Sequence, residues 1–168
     1  MSVVKSRNRS GVWIIVSTFL VAFLLTVIPY PHWMQDAVPN WVTLVLFYWC
    51  LALPGRVGVG WGWLTGFVVD LIEHTLFGHH AIAKSLVAAV ALAAHRRLRM
   101  YHLWQQCVVI FVVSVVELML VYWIYNVVGG ATFRFSILQS ALATTLLWPF
   151  VYTLLRFIRQ RNHITDRG

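Results

Sequence analysis

The chain has 168 residues, of which 60% are hydrophobic and 11% charged, and its mean hydropathy is +0.76. A soluble domain of this length rarely carries so little charge, so the composition argues against one and indicates a membrane protein. The formal net charge is +8, but basic residues flank apolar segments, which is typical of membrane topology rather than of nucleic-acid binding. Cys50 and Cys107 lie within apolar runs, so packing is their expected role and a disulfide framework is not.

In chain order, six apolar segments predict an all-α polytopic membrane protein with six transmembrane helices in one compact bundle and one domain. These spans cover approximately residues 12–29, 38–53, 57–77, 79–95, 103–128 and 136–158. The first segment follows the basic stretch KSRNR, but its apolar run is long and IPYPHW is not a small-residue cleavage site, so an uncleaved helix is expected. The second begins near Pro39 and ends at LPGR, which makes it short for a span. The fourth is rich in alanine and is expected to be buried in the bundle.

The distribution of lysine and arginine predicts that both termini are cytoplasmic. With the N-terminus inside, eleven basic residues fall in inner segments and only Arg134 falls in an outer loop, while Lys84 lies inside a span. This asymmetry follows the positive-inside rule. The inner residues are Lys5, Arg7, Arg9, Arg56, Arg96, Arg97, Arg99, Arg156, Arg159, Arg161 and Arg167.

The third segment carries a ridge of small residues that ends in a carboxylate. Gly58, Gly62, Gly66 and Asp70 recur every four residues, so they lie on one slowly drifting face of a helix. The three glycines form two overlapping GxxxG patterns, which let another backbone approach closely. We therefore expect a helix-packing groove here, filled by a helix of the bundle or by a helix of a partner protein.

An intramembrane polar cluster is predicted from Asp70, Glu73, Lys84 and Glu117. Asp70 and Glu73 precede a turn around Gly78 and Lys84 follows it at a similar depth, given a rise of 1.5 Å per residue. Because charges inside a membrane usually pair, the expected partner of Lys84 is Asp70 or Glu73. Glu117 lies midway along the fifth segment at about the same level.

Several roles for this cluster remain open on the residues alone. It can be a structural lock or partner contact, a site for a small molecule or ion, or a catalytic site. An intramembrane aspartyl protease needs two aspartates in particular motifs, and the chain has Asp70 and Glu117 without them. His74, His79 and His80 could suggest a metal site, but no nearby cysteine or further ligand is evident in the sequence. No catalytic, cofactor-binding or metal-ligating residue is therefore predicted, and no nucleotide fingerprint is present.

The segment PNWVTLVLFYWCLALPGRVGVGWGWLTGFVVDL (39–71) resembles the core of the MreD family of rod shape-determining proteins in its gammaproteobacterial form. The similar pieces are PNWV, YWCLALPGRVGVGWG, the glycines leading to DL, then LWQQ (103–106), and LWPF with LLR (147–156). The resemblance covers nearly the whole chain. Glu117 stands where relatives are expected to have an acidic residue, whereas the histidine-rich turn 74–80 departs from the expected Gly/Ser-rich turn.

The resemblance implies a non-enzymatic, multi-pass protein of the bacterial inner membrane. It implies direct binding to MreC and membership of an elongation complex with MreB, RodZ, RodA and a class B penicillin-binding protein, which supports rod shape and lateral peptidoglycan synthesis. No cofactor or nucleic acid is expected, and the other contact is membrane lipid. The alternative is a small-solute-binding subunit similar to the substrate-binding components of vitamin-uptake transporters. An intramembrane hydrolase, a third class, would require two carboxyl groups in contact.

Overall fold

Helices make up most of the computed structural model, which describes residues 3–74, 78–127 and 136–162. The α-helices are α1 (Val3–Val27), α2 (Trp41–Ala52), α3 (Val59–Ile72), α4 (His79–Leu98), α5 (Leu103–Val127) and α6 (Ser136–Arg161). A 3-10 helix, His32–Ala37, lies between α1 and α2, and these ranges contain no strand. The predicted all-α fold is therefore confirmed for the described residues.

The six α-helices occupy the six predicted segments, with the main differences at two ends. Helix α1 begins at Val3, well before the apolar run, so the basic stretch continues the helix. Helix α3 ends at Ile72 instead of continuing to residue 77. The reason is local, because His74 adopts a positive φ of 51° and leaves the right-handed helical region. Residues 75–77, together with Arg134 and Arg167 of the charge pattern, lie outside the described residues.

Helix α2 lies at the centre of the bundle and is buried on every side. Of its twelve residues, all but Trp41 are buried, and its length of about 18 Å is well short of the hydrocarbon core of about 30 Å. Around it pack buried side chains from the other helices, and Trp148 of α6 contacts Phe47 edge-to-face at a centroid distance of 5.6 Å. A short helix is accommodated here because protein, rather than lipid, surrounds it.

Both ends of α2 have their backbone groups satisfied by side chains. At its N-terminus, the Asn40 side chain accepts the Thr43 N–H at 3.3 Å. At its C-terminus, Arg99 donates to the carbonyl oxygens of Leu51 and Ala52, each at 2.7 Å. Helix ends carry unpaired backbone groups that are costly to bury, so these contacts allow α2 to remain inside the bundle.

The outer surface of the bundle carries many large apolar side chains, whereas three charged residues lie inside. Large side chains such as Leu146, Trp104 and Phe150 are mostly exposed, while Asp70, Lys84 and Glu117 are buried. Helices α5 and α6 are long and apolar enough to cross a membrane, and most of their residues are not buried within the protein. A soluble protein rarely exposes apolar surface on this scale, so the distribution is that of a membrane protein.

Candidate functional site

The four residues predicted to share one intramembrane site separate into three locations. Lys84 and Glu117 form an ion pair between α4 and α5. Asp70 belongs to a different group at the α3–α4 turn. Glu73 lies at the exposed end of α3. The predicted pairing of Lys84 with Asp70 or Glu73 is therefore wrong, and Glu117 is the acidic partner of Lys84.

The Lys84–Glu117 network consists of Asn40, Thr43, Lys84 and Glu117. The Lys84 ammonium donates to Oε1 of Glu117 at 2.8 Å, to Oγ1 of Thr43 at 2.9 Å and to Oδ1 of Asn40 at 3.2 Å. The Glu117 carboxylate also accepts hydrogen bonds from Nδ2 of Asn40 at 3.1 Å and from Oγ1 of Thr43 at 2.7 Å. An ammonium has three donors, and all three are used here. Both charged side chains are only 1% exposed.

Together with a contact to α6, this network connects four helices, α2, α4, α5 and α6, in the interior of the bundle. It contains residues of α4 and α5, Thr43 of α2, and Asn40 immediately before α2. The Asn40 backbone N–H also donates to Oγ1 of Thr144 in α6, at 2.9 Å. A buried ion pair offsets its desolvation cost only when the geometry is good and the remaining polar atoms are bonded, and both conditions hold.

The Asp70 cluster consists of Asp70, His79, His80 and the backbone N–H of Gly78. Asp70 Oδ2 accepts the Gly78 N–H at 2.8 Å, and Oδ1 accepts the His80 N–H at 3.1 Å. Nδ1 of His79 lies 3.1 Å from Oδ1, and Nδ1 of His80 lies 3.0 Å from it. Asp70 therefore caps the N-terminus of α4 from across the turn, where the helix dipole favours a negative charge. Gly78 itself has a φ of 102°, a conformation that favours glycine.

The glycine ridge of α3 packs against α4 within the bundle. A Cβ atom at Gly62 would lie 2.5 Å from the Lys84 carbonyl oxygen, and one at Gly66 would meet the His80 carbonyl oxygen and lie 2.5 Å from Cα of Ala81. Such distances leave no room for a side chain. Gly58, at the start of the ridge, is less tightly packed, since its nearest atom would be Cδ1 of Leu92 at 4.0 Å. Of the two occupants expected for this groove, α4 fills it at Gly62 and Gly66.

This helix packing explains why the polar residues separate. The Lys84 backbone lies against Gly62 of α3, whereas its side chain reaches α2 and α5. Asp70 continues the glycine ridge and therefore faces the start of α4. The predicted common depth of Asp70 and Lys84 is wrong. Because α3 ends at Ile72, Asp70 lies at the turn beside Gly78. Lys84 instead lies level with Gly62, eight residues before Asp70 on α3. The side chain of Lys84 is directed away from α3, toward Glu117.

Asn40 and Thr43 were not predicted as members of the buried network. Asn40 had a detectable signal, because asparagine before an apolar helix favours an N-cap. Thr43 is one hydroxyl in an apolar run, and nothing in the run distinguishes it from a helix-internal threonine. Arg99, assigned only to the inner charge pattern, also binds the carbonyl groups at the end of α2.

Three properties of the site bear on its chemistry. Asp70 and Glu117 have separate sets of donors and are not in contact, so the described geometry lacks the paired carboxyls of an aspartyl hydrolase. Asp70, His79 and His80 bring three metal-ligating atoms within 4.8 Å of one another. A cavity of about 550 Å³ lies elsewhere, beside Arg99, Gln106 and Arg156, and none of the predicted site residues lines it.

Comparisons with known proteins agree over most of the chain. Residues 7–158 match the family model described as rod shape-determining protein MreD. The chain is 34% identical over 147 residues to the rod shape-determining protein MreD of Haemophilus influenzae, an alignment that covers 88% of this chain and 91% of the relative. No solved structure matches this fold. The sequence motifs and these two matches show that the chain belongs to the MreD family of rod shape-determining proteins.

Proposed function

We propose that the chain is a non-enzymatic scaffold of the bacterial inner membrane, which spans the membrane six times and binds MreC. Family membership indicates a function in rod shape determination. In the proposal, the bundle holds MreC within the elongation complex of MreB, RodZ, RodA and a class B penicillin-binding protein, and so supports lateral peptidoglycan synthesis. The whole chain forms one membrane domain, and its contacts are with these proteins and with lipid.

The proposed topology is supported by basic residues that converge at one end of the bundle. Arg99 at the end of α4 and Arg159 near the end of α6 both donate to the Ala52 carbonyl oxygen at the end of α2, at 2.7 and 3.5 Å. These three helix ends are the ones that the lysine and arginine pattern assigns to the cytoplasm. Their proximity is what an alternating topology with both termini inside requires.

The closed Lys84–Glu117 network is the observation that carries the non-enzymatic part of the proposal. Its ammonium has no donor left for a substrate, and its carboxylate is bonded to Asn40 and Thr43 as well as to Lys84. Catalytic groups need a reacting atom within hydrogen-bond reach, and this arrangement offers none. A network bonded only to its own protein fits the stabilisation of a scaffold.

The glycine ridge no longer supports a partner groove at Gly62 and Gly66, because α4 occupies it. We therefore place the MreC contact on the apolar exterior of the bundle, where side chains such as Trp123 and Leu142 are exposed. The solute-binding alternative has no support, since the family and the relative are both named for rod shape determination.

The experiment that tests this proposal replaces the ion pair with apolar residues of similar size. The double variant Lys84→Met, Glu117→Met is expressed in cells lacking their own MreD, and cell shape and co-purification of MreC are measured. We expect rod-shaped cells and retained MreC, because a structural ion pair can be replaced when both charges are removed. The single variant Glu117→Met is the matched control, and it should lose both properties because it leaves a buried ammonium without its acid.

Two outcomes would contradict the proposal. One is a double variant that accumulates to wild-type levels and retains MreC but produces round cells. Rod shape would then depend on the charged groups themselves and not only on the stability that they give the bundle. If wild-type protein does not retain MreC in any detergent or lipid nanodisc, direct binding is wrong, although membership of the family would be unaffected.

A further inference from the structure

The Asp70 cluster contains a set of metal-ligating atoms from two histidines and one aspartate. Oδ1 of Asp70 lies 3.1 Å from Nδ1 of His79 and 3.0 Å from Nδ1 of His80. The Asp70 and His79 side chains are 0% and 1% exposed, and that of His80 is 12% exposed. Asp70 is thus the further ligand for the histidine-rich turn that is not evident from the sequence.

The oxygen at the centre of this cluster is crowded by nitrogen atoms. The two imidazole Nδ1 atoms and the His80 backbone nitrogen all lie within 3.1 Å of Oδ1. The backbone N–H donates to Oδ1, whereas an imidazole Nδ1 is a donor or a lone pair depending on the tautomer. When the ring protons are on Nε2, both Nδ1 lone pairs are available, and a cation between the three atoms would bind both nitrogens and Oδ1.

Glu73 favours the tautomer of His80 that a metal requires. Oε2 of Glu73 lies 3.7 Å from Nε2 of His80, on the opposite side of the ring from Asp70. This distance exceeds that of a hydrogen bond, but the Glu73 side chain is 41% exposed and is free to approach. A proton on Nε2 directs the Nδ1 lone pair at Asp70. A carboxylate behind a ligating histidine is the usual arrangement at metal sites.

We propose that Asp70, His79 and His80 bind one divalent transition-metal ion of the Zn²⁺ class at the α3–α4 turn. Zinc binds imidazole nitrogen and carboxylate oxygen at about 2.0–2.2 Å, which places tetrahedral ligand atoms about 3.3 Å apart. The two N–O separations of 3.0 and 3.1 Å are within a few tenths of an ångström of this value, and all three ligand atoms lie within 4.8 Å of one another. Two nitrogens and one oxygen suit Zn²⁺ or Co²⁺ better than Mg²⁺ or Ca²⁺, which prefer all-oxygen sets.

The backbone around the site holds the ligands in position before metal arrives. The Gly78 N–H donates to Oδ2 of Asp70 at 2.8 Å, which fixes the plane of the carboxylate and leaves Oδ1 toward the histidines. His79 and His80 stand on the first turn of α4, whose start is pressed against Gly66 of α3. A fourth position would be taken by water, reached past His80 and Glu73 at the outer end of the bundle in the proposed topology. The bound ion would tie α3 to α4 at their shared turn.

The test is a metal titration of the full chain, purified with an affinity tag that contains no histidine. The protein in detergent is treated with chelator and titrated with Zn²⁺ against a chromophoric zinc indicator. We expect one Zn²⁺ per chain, with affinity reduced at least tenfold in each of His79→Ala and His80→Ala. His102→Ala is the matched control, because His102 lies at the α4–α5 connection, and its affinity should equal that of the wild type.

Co²⁺ supplies a second measurement that does not depend on a folded variant. Wild-type protein loaded with Co²⁺ should show the intense visible bands of a four-coordinate site with nitrogen ligands. The absence of these bands, or equal Zn²⁺ affinity in wild type and in a folded His79→Ala, His80→Ala double variant, would overturn the proposal. Asp70→Asn refines it, since the asparagine oxygen can still accept one of the two backbone N–H groups at the start of α4 but is a poor ligand. Retained folding with at least tenfold weaker Zn²⁺ binding is expected.

Discussion

The Lys84–Glu117 network and the Asp70 cluster use similar residues in different ways. The network joins residues up to 77 positions apart in sequence, and every donor of its ammonium has a partner within the bundle. The Asp70 cluster spans only ten positions and lies on a single helical hairpin. In the first, an acid and a base neutralise each other. In the second, an acid is surrounded by backbone N–H groups and imidazoles.

This difference shows that a buried charge does not by itself identify a site. A network whose donors are all used contributes to tertiary structure and has no hydrogen-bond donor left for a ligand. A carboxylate oxygen approached by three nitrogens keeps coordination chemistry available. The number of bonding partners around each charged atom, rather than its depth in the membrane, separates the two cases.

Removal of Glu117 alone should give the largest loss of stability. Glu117→Leu leaves the Lys84 ammonium buried without its acid, and we expect the free energy of unfolding to fall by about 3–5 kcal/mol. Adding Lys84→Met should recover most of this loss. Reversible unfolding in mixed detergent micelles measures both, and a double variant as unstable as the single one would contradict the assignment of the pair as a replaceable lock.

Gly66→Ala should disturb the hairpin that carries the Asp70 cluster. Its Cβ would lie within 2.6 Å of the Ala81 backbone, so α3 and α4 must separate, and overpacking of this kind costs about 1–3 kcal/mol. Gly60→Ala is the matched control on the same helix, because a Cβ there meets no atom within 4 Å. Equal unfolding midpoints for the two variants would show that the close α3–α4 approach is absent in the membrane.

Asp70→Ala should have a smaller effect, confined to the hairpin. Loss of a helix cap costs about 0.5–2 kcal/mol, and the Lys84–Glu117 network keeps all its bonds. Hydrogen exchange should therefore increase at the start of α4 and remain unchanged at the start of α2. Increased exchange at both places would mean that the two groups are coupled.

Glu73→Gln should have the smallest effect. Its side chain is 41% exposed and lies beyond hydrogen-bond distance of His80, so stability should change by less than about 0.5 kcal/mol. A thermal melt of the purified variant checks this. A loss of stability comparable to that of Asp70→Ala would mean that Glu73 makes a direct stabilising contact with the Asp70 cluster.

The sequence predicted the helices well because each depends on one segment of chain. Apolar runs, Pro39 and the LPGR stop locate α2 to within a few residues, and the GxxxG spacing indicated the close approach of α3. The partner of Lys84 was missed for two reasons. Helix α3 ends early, which leaves Asp70 at the turn and not level with Lys84, and the partner also depends on the rotation of α4 about its axis. That rotation is set where Gly62 meets the Lys84 backbone, a contact between two helices that neither segment encodes alone.

The end of α3 was also misjudged, and the reason is again conformational. Hydropathy favours a helix through LIEHTLF, but His74 adopts a positive φ and Glu73 then leaves the span. A histidine in this conformation is uncommon and cannot be inferred from apolar periodicity. The contacts between Asp70 and the histidines depend on this turn, so hydropathy could not predict them either.

Lys84 and Glu117 are 33 residues apart, so during translation the lysine is synthesised before its acidic partner. At about 5–20 residues per second, a ribosome adds Glu117 about 2–7 seconds after Lys84. During that interval, Asn40 and Thr43 already exist and can solvate the ammonium, whereas its counter-charge does not. The Asp70 hairpin, by contrast, has all its members within a fraction of that time. Insertion of α5 would then be the step that pairs the buried ammonium with its acid. A nascent chain truncated before Glu117 should be a preferred substrate for membrane quality-control proteases.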